Sequence, residues 1–178
     1  MRKVIFSSLM ASMLALGTAA HADGLYGDVN YAFISSEESS EDVDLGAITG
    51  HIGYAFNDHF SLEGEAGFGV ADESVNVGGV NVDVGLNYLV GIYGVGNLPV
   101  TEKLNLFARA GLVQAELEAE ASAGGVTFSD SDSEDGYALG VGTTFDFTEN
   151  VYARADYTRY EFDDTGVDSV MLGVGYKF

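Results

Sequence analysis

Acidic and basic side chains spaced two residues apart are the first feature of this sequence that could do chemistry. Glu63 and Glu65 occupy alternate positions of FSLEGEAGFGV, and Arg154 and Asp156 do the same in VYARADYTRY. Spacing of two puts both members on one face of an extended strand. Arg109, in LNLFARAGL, holds an equivalent position. Enclosed together, these groups would neutralise one another, with Glu63, Glu65 and Asp156 balanced by Arg109, Arg154 and Lys177. A second acidic stretch, SDSDSEDG, sets Asp130, Asp132, Glu134 and Asp135 close together, as hard oxygen ligands for calcium or magnesium would be. The EF-hand pattern fails there, because its terminal glutamate is missing and its glycine is displaced by one. The plainer reading is a solvated, self-repelling segment, and no metal site is assigned.

The composition limits what such groups can serve. Seven basic residues stand against 28 acidic ones, a formal net charge of −21. Arg2 and Lys3 open the chain, a mainly apolar run from Val4 to Leu16 follows, and Ala20-His21-Ala22 supplies a small-x-small cleavage signal. This is the order of a secretory signal peptide, and the run is too short to span a bilayer as a helix. The expected division is a signal peptide at 1–22 and one domain at 23–178. The mature chain then keeps five basic and all 28 acidic residues, for a charge of −23. Binding nucleic acid by charge is excluded. Hydrophobic residues make up 47% of the chain, too many for an acidic disordered polypeptide. Cysteine is absent, which removes disulfides, thiolate metal sites and a cysteine nucleophile.

The elements that must position the charges are legible as eight alternating runs: Leu25 to Ile34, Gly46 to Phe56, Phe60 to Val70, Val82 to Val95, Leu104 to Leu112, Gly136 to Phe147, Val151 to Tyr160, and Ser169 to Phe178. Repeated period-two alternation argues for antiparallel sheet. Tight turns are expected at 57–59 and 148–150, with a longer connection at 97–103. Four long acidic loops are expected at 35–44, 71–81, 116–135 and 161–168. Short and long connections in alternation suit an up-and-down barrel with one plain end, where both termini lie, and one elaborated end.

Such a barrel can turn its apolar face inward around a ligand or outward to lipid. The opposite face decides. It carries Asp28, His51, Glu63, Glu65, Asn87, Arg109, Arg154, Asp156 and Lys177 among many glycines and alanines. A water-facing surface would be dense with long polar side chains. A narrow eight-stranded lumen instead suits small residues and a few balanced charges. Arg or Lys facing lipid at the bilayer midplane would cost about 2–4 kcal/mol. The expected fold is therefore all-β, an eight-stranded antiparallel transmembrane β-barrel with its apolar face toward lipid. Arg109 then sets the phase of its strand and sends Phe107 inward. Phe56, Phe60, Phe147, Tyr176 and Phe178 would form one aromatic girdle, and Phe33, Tyr137 and Tyr157 the other. Arg159 shares the lipid-facing phase at the end of its strand, either reaching toward lipid phosphates or simply ending the strand.

The final strand, with Tyr176 third from the end and Phe178 last, resembles the recognition signal of Gram-negative outer-membrane barrels. SLEGEAGFGV and YARADYTRYEF are similar to strands of the small OmpA/OmpX-type eight-stranded barrels, the outer membrane protein β-barrel domain family. This resemblance spans residues 23–178. It implies location in the cell outer membrane, assembly of a monomer by the barrel-assembly machinery with periplasmic chaperones, and contact with outer-membrane lipids and lipopolysaccharide. No peptidoglycan-binding domain is expected after the barrel. Some barrels of this size modify lipids with a serine, a histidine and a carboxylate at the outer rim. Here His51 is expected in the lumen and His59 in a turn, so that triad has no base and no enzymatic activity or cofactor is expected. The charge cluster of Glu63, Glu65, Arg109, Arg154 and Asp156 would plug the lumen and leave negligible conductance. The functional expectation is a structural, surface-exposed barrel. The alternatives are a loop-mediated adhesin and a very narrow pore.

Overall fold

A computed structural model describes residues 24–36, 44–71, 73–77, 80–123, 126–162 and 165–178, so the expected signal peptide lies outside the described residues. Among the described residues there are nine strands: β1 Leu25–Ser36, β2 Asp44–Asn57, β3 Phe60–Ala71, β4 Glu73–Val77, β5 Val80–Pro99, β6 Leu104–Ala123, β7 Val126–Asp146, β8 Val151–Phe162 and β9 Gly166–Lys177. Apart from β3 and β4, sequential strands pair antiparallel, β9 pairs with β1, and β3 pairs with β5 past the short β4. Without β4, eight strands close into a barrel in which each strand has a paired neighbour on both sides.

One rim is drawn tight by backbone hydrogen bonds. The Ala55 amide donates to the Gly24 carbonyl at 2.8 Å, Asn97 to His59 at 2.8 Å, Asp146 to Lys103 at 2.8 Å, Lys177 to Asn150 at 2.7 Å and Phe178 to Leu25 at 2.9 Å. The two ends of the barrel sequence therefore meet at this turn end. Gly24 has a φ of 100°, a left-handed conformation that side chains disfavour, where the chain enters β1.

Alternation along the strands fixes what faces where. In β8, Tyr152, Arg154, Asp156, Thr158 and Tyr160 are buried, whereas Val151 and Tyr157 are exposed. Outward-pointing Val29, Phe33, Ile52, Phe68, Leu112, Leu139, Val141, Leu172 and Val174 are all about half exposed or more. The inside of this sheet is charged and buried, and the outside is apolar and uncovered, the inverse of a water-soluble protein. Phe107 points inward, as the phase set by Arg109 requires. The expected girdle residues Phe56, Phe60, Phe147, Tyr176 and Phe178 are exposed around the turn end, with Phe33, Tyr137 and Tyr157 toward the other end.

The opposite end departs from the expected loops. Residues 116–135 are not one long loop: β6 continues to Ala123 and β7 begins at Val126, paired throughout. Within 71–81, β4 pairs back onto the start of β5, from Glu73 opposite Val84 to Val77 opposite Val80. Within 161–168, β8 reaches Phe162 and β9 starts at Gly166. Most of the 35–44 segment lies outside the described residues. The strands thus run on past the apolar band as paired hairpins, which satisfies their backbone groups in water as well as in lipid.

The run Val82 to Val95 does not keep a single phase either. A register shift between Leu86 and Tyr88 moves the strand by one residue. Below it, Leu89, Tyr93 and Val95 are buried inside. Above it, Leu86 packs against the same buried core. A one-residue bulge turns every later side chain to the other face. Asn87, expected in the lumen, is consequently exposed and donates to Glu116 Oε1 at 2.7 Å.

Candidate functional site: a charged layer inside the barrel

Five strands deliver ionisable side chains to one level of the lumen: Asp28 from β1, His51 from β2, Glu63 and Glu65 from β3, Arg109 from β6, and Arg154 and Asp156 from β8. Their side chains are between 0% and 3% exposed. Arg154 holds Glu63 with two nitrogens, Nη1 to Oε2 at 2.8 Å and Nη2 to Oε1 at 3.1 Å. Its Nε donates to Asp156 Oδ2 at 2.8 Å, and Nη1 also reaches Asp28 Oδ2 at 3.2 Å. Arg109 Nη1 lies 3.0 Å from Glu65 Oε2 and 3.3 Å from Glu63 Oε1, while Nε and Nη2 donate to Thr158 Oγ1 at 3.1 and 2.8 Å. Glu63 is therefore shared by both arginines. All five residues singled out from sequence, Glu63, Glu65, Arg109, Arg154 and Asp156, are brought together here. Lys177 is not among them. It pairs with Asp146 at 2.7 Å near the turn end, where its side chain is 44% exposed.

Burying charges is costly unless each is paired and hydrogen-bonded. Tyrosines absent from the sequence-derived cluster supply the remaining bonds. Tyr26, Tyr152 and Tyr160 donate to Glu63 at 3.1 Å, Asp28 at 2.8 Å and Glu65 at 2.9 Å respectively. The arginine faces are covered too: Arg109 stacks 4.4 Å from the Tyr93 ring centre, and Arg154 stacks 4.6 Å from that of Phe107. Tyr26, Phe107, Tyr152 and Tyr160 had a signal in the sequence, since each shares the parity of a luminal charge on its own strand, whereas β5 brings no buried charge beside Tyr93. Apolar bulk was the more obvious reading of them.

The rings explain several glycines. A Cβ on Gly53 would fall 2.1 Å from Tyr26 Cζ, one on Gly111 2.6 Å from Tyr93 Cδ1, and one on Gly142 2.5 Å from Phe107 Cζ. Each glycine leaves a slot in which the neighbouring strand's ring lies flat against the wall.

His51 adds a hub. Its Nδ1 lies 2.5 Å from Asp28 Oδ1, the contact by which a carboxylate orients an imidazole in a catalytic triad. The other nitrogen, Nε2, faces Arg109 Nη1 at 3.1 Å and Glu65 at 3.4 Å, not a hydroxyl nucleophile. The arrangement therefore ties strands together across the lumen. Above it lies an apolar tier in which Ala32, Ala47, Val113, Ala138 and Met171 are each at most 1% exposed.

At the aromatic edge of the outer surface, Arg159 donates to Glu161 and to Asp168, each at 2.8 Å, and the Tyr157 hydroxyl donates to Asp168 as well. Tyr176 and Phe178 pack edge to face with ring centres 5.2 Å apart at the opposite rim.

Comparison with known proteins agrees with this architecture. Residues 6–178 match the family described as outer membrane protein beta-barrel domain. Ail, the attachment invasion locus protein of Yersinia pestis, solved with the heparin analogue sucrose octasulfate, superposes with a TM-score of 0.66 at 23% identity, covering 88% of this chain and all of that one. Neisserial surface protein A gives 0.65 at 17% identity over 89% of this chain and all of that one. OprG of Pseudomonas aeruginosa gives 0.62 at 14% identity over 89% and 98%. No curated protein matches by sequence. At these identities the solved structures establish the fold.

Proposed function

Given that the chain belongs to the outer membrane protein beta-barrel domain family and resides in the outer membrane, we propose that it is a non-conducting structural barrel of the cell surface. The observation that carries this reading is the buried guanidinium–carboxylate layer, in which Arg109 and Arg154 between them contact four carboxylates at 3.6 Å or less. Salt-bridged side chains from opposite walls fill the cross-section of an eight-stranded barrel, whose interior is only wide enough for side chains. The short-turn end faces the periplasm and the hairpin end the exterior. The barrel acts as a monomer in contact with outer-membrane lipids and lipopolysaccharide, and reaches the membrane through periplasmic chaperones and the barrel-assembly machinery. Planar-bilayer recordings test the reading. No steady single-channel current is expected, and large stable openings would refute it.

A second reading is a surface-binding module, because the hairpins extend past the apolar band. Ail was solved with a heparin analogue, but charge argues against such a ligand here. Of the seven basic residues, Arg2 and Lys3 belong to the expected signal peptide, Lys103 and Lys177 lie at the turn end, and Arg109 and Arg154 are buried in the lumen. Arg159 alone stands at the hairpin end, between Glu161 and Asp168. A surface of this sign repels sulfated polyanions and would take a cationic or uncharged partner. Passage of the refolded protein through immobilised heparin at low salt is expected, and retention would contradict this.

A further inference from the structure

Resting on the non-conducting reading, a separate question is where along the lumen the barrier lies. The two ends of the interior differ in chemistry. Toward the exterior, beyond the charged residues, one further polar side chain points inward on three strands, Asn30 on β1, Thr49 on β2 and Thr158 on β8, and the next inward positions are apolar: Ala32 on β1, Ala47 on β2, the ring of Tyr160 on β8, and on β6 Val113 beyond Arg109. Met171 and Ala138 complete the tier, both 0% exposed, and Leu86 and Phe162 pack against it from above. Toward the periplasm, below the buried Phe107 and Val95, the mouth of the lumen is lined by polar side chains. Asn105 donates to Asn97 at 3.1 Å, Asn97 donates to Ser61 at 2.8 Å, and Lys177 pairs with Asp146.

We infer that the barrel is a one-sided seal: apolar packing excludes water and solutes entering from the cell surface, while the lumen below the charged layer is hydrated from the periplasm alone. The apolar tier is then a second barrier to permeation, beyond the charged layer and sufficient without it. Close-packed and mainly apolar side chains leave a permeating ion only the hydroxyls of Thr49 and Ser169 as partners at this level, so its desolvation goes largely uncompensated there. A neutralised charged layer would therefore loosen the barrel without opening it.

The absence of native cysteine makes this directly testable. Single variants Ser35→Cys at the exposed outer rim, Ala47→Cys and Met171→Cys in the tier, and Asn105→Cys at the periplasmic mouth are refolded into lipid vesicles. Heat-modifiable mobility verifies each fold, and orientation is scored by protease. A charged, membrane-impermeant methanethiosulfonate is then supplied on one side only. Thiol reactivity follows exposure, so Ser35→Cys should react from the exterior side and Asn105→Cys at least about tenfold faster from the periplasmic side. Ala47→Cys and Met171→Cys should react at least about 100-fold more slowly than Ser35→Cys from the exterior. Exterior labelling of either tier variant within about tenfold of Ser35→Cys overturns the seal. Such a result with no bilayer current would leave the non-conducting reading in place, and current with a protected tier would sink that reading instead.

Discussion

The ring of Tyr152 lies over Gly175 of the adjacent strand, so close that a methyl group on Gly175 would fall 2.1 Å from the ring carbon bearing the hydroxyl. That hydroxyl donates to Asp28 Oδ2 at 2.8 Å, so the glycine slot also places a partner for the charged layer. Gly175→Ala should therefore destabilise the folded barrel by about 1–3 kcal/mol through overpacking. The effect should largely vanish in a Tyr152→Ala background, where the ring is gone. Equilibrium urea unfolding in lipid vesicles measures both. Simple additivity of the two substitutions would show that ring and glycine are independent.

Within the charged layer, Glu65 accepts from Arg109 Nη1 at 3.0 Å and from Tyr160 at 2.9 Å. Glu65→Ala strips both bonds and leaves a buried guanidinium with fewer counter-charges. Removing one partner of a buried pair costs about 3–5 kcal/mol, and the retained Glu63 contact puts this case at the lower end. Urea resistance equal to that of the parent chain would argue against the pairing.

A contrasting outcome is expected at the outer rim. Asp168 accepts from Arg159 and Tyr157, but these groups are partly or largely exposed. Exposed pairs are worth less than about 1 kcal/mol. Asp168→Asn should shift the same unfolding midpoint little, and any shift should shrink further in high salt. A loss comparable to that of Glu65→Ala would mean that the rim contributes as much as the lumen.

At the last strand, the Phe178 amide bonds to Leu25 and its ring meets Tyr176 at 5.2 Å. Phe178→Ala keeps the amide bond and removes one aromatic contact, worth about 1 kcal/mol. In purified, refolded protein the change should be of that size. In cells the yield of heat-modifiable barrel in the outer membrane should fall much further, because the assembly machinery is proposed to read this residue. Parallel losses in both assays would reduce Phe178 to a packing residue.

The charges of the lumen were legible because Glu63, Glu65, Arg154 and Asp156 sit on alternate positions and lipid tolerates none of them outward. The tyrosines were harder. Tyr93 and Tyr160 look like core residues, and only their cross-barrel neighbours reveal them as partners of Arg109 and Glu65. Asn87 was misplaced because a bulge depends on the partner strand: Leu86 pairs with Leu117 and Tyr88 with Glu116, leaving Asn87 between. Residues 116–135 read as loop because their acidity points to water and the apolar alternation of a lipid-facing strand is lost there. Glu116, which accepts from Asn87 and Ser133, instead belongs to a strand whose outward face has passed from lipid into water. On β6 the apolar parity accordingly switches from Leu106 and Leu112 outside to Val113 and Ala115 inside. A single-period reading cannot see that change of solvent.

The most direct test of the account is which side of β9 meets lipid. Nitroxide labels placed singly at Val170, Leu172 and Val174, and at Ser169 and Met171, can be scored in bilayers for collision with oxygen and with a water-soluble nickel chelate. The first three should show high oxygen and low nickel accessibility, and the last two should be shielded from both. Nickel accessibility at Leu172 equal to that of a label at the water-exposed Ser35, or the opposite alternation along the strand, would contradict a barrel that turns its apolar face to the membrane.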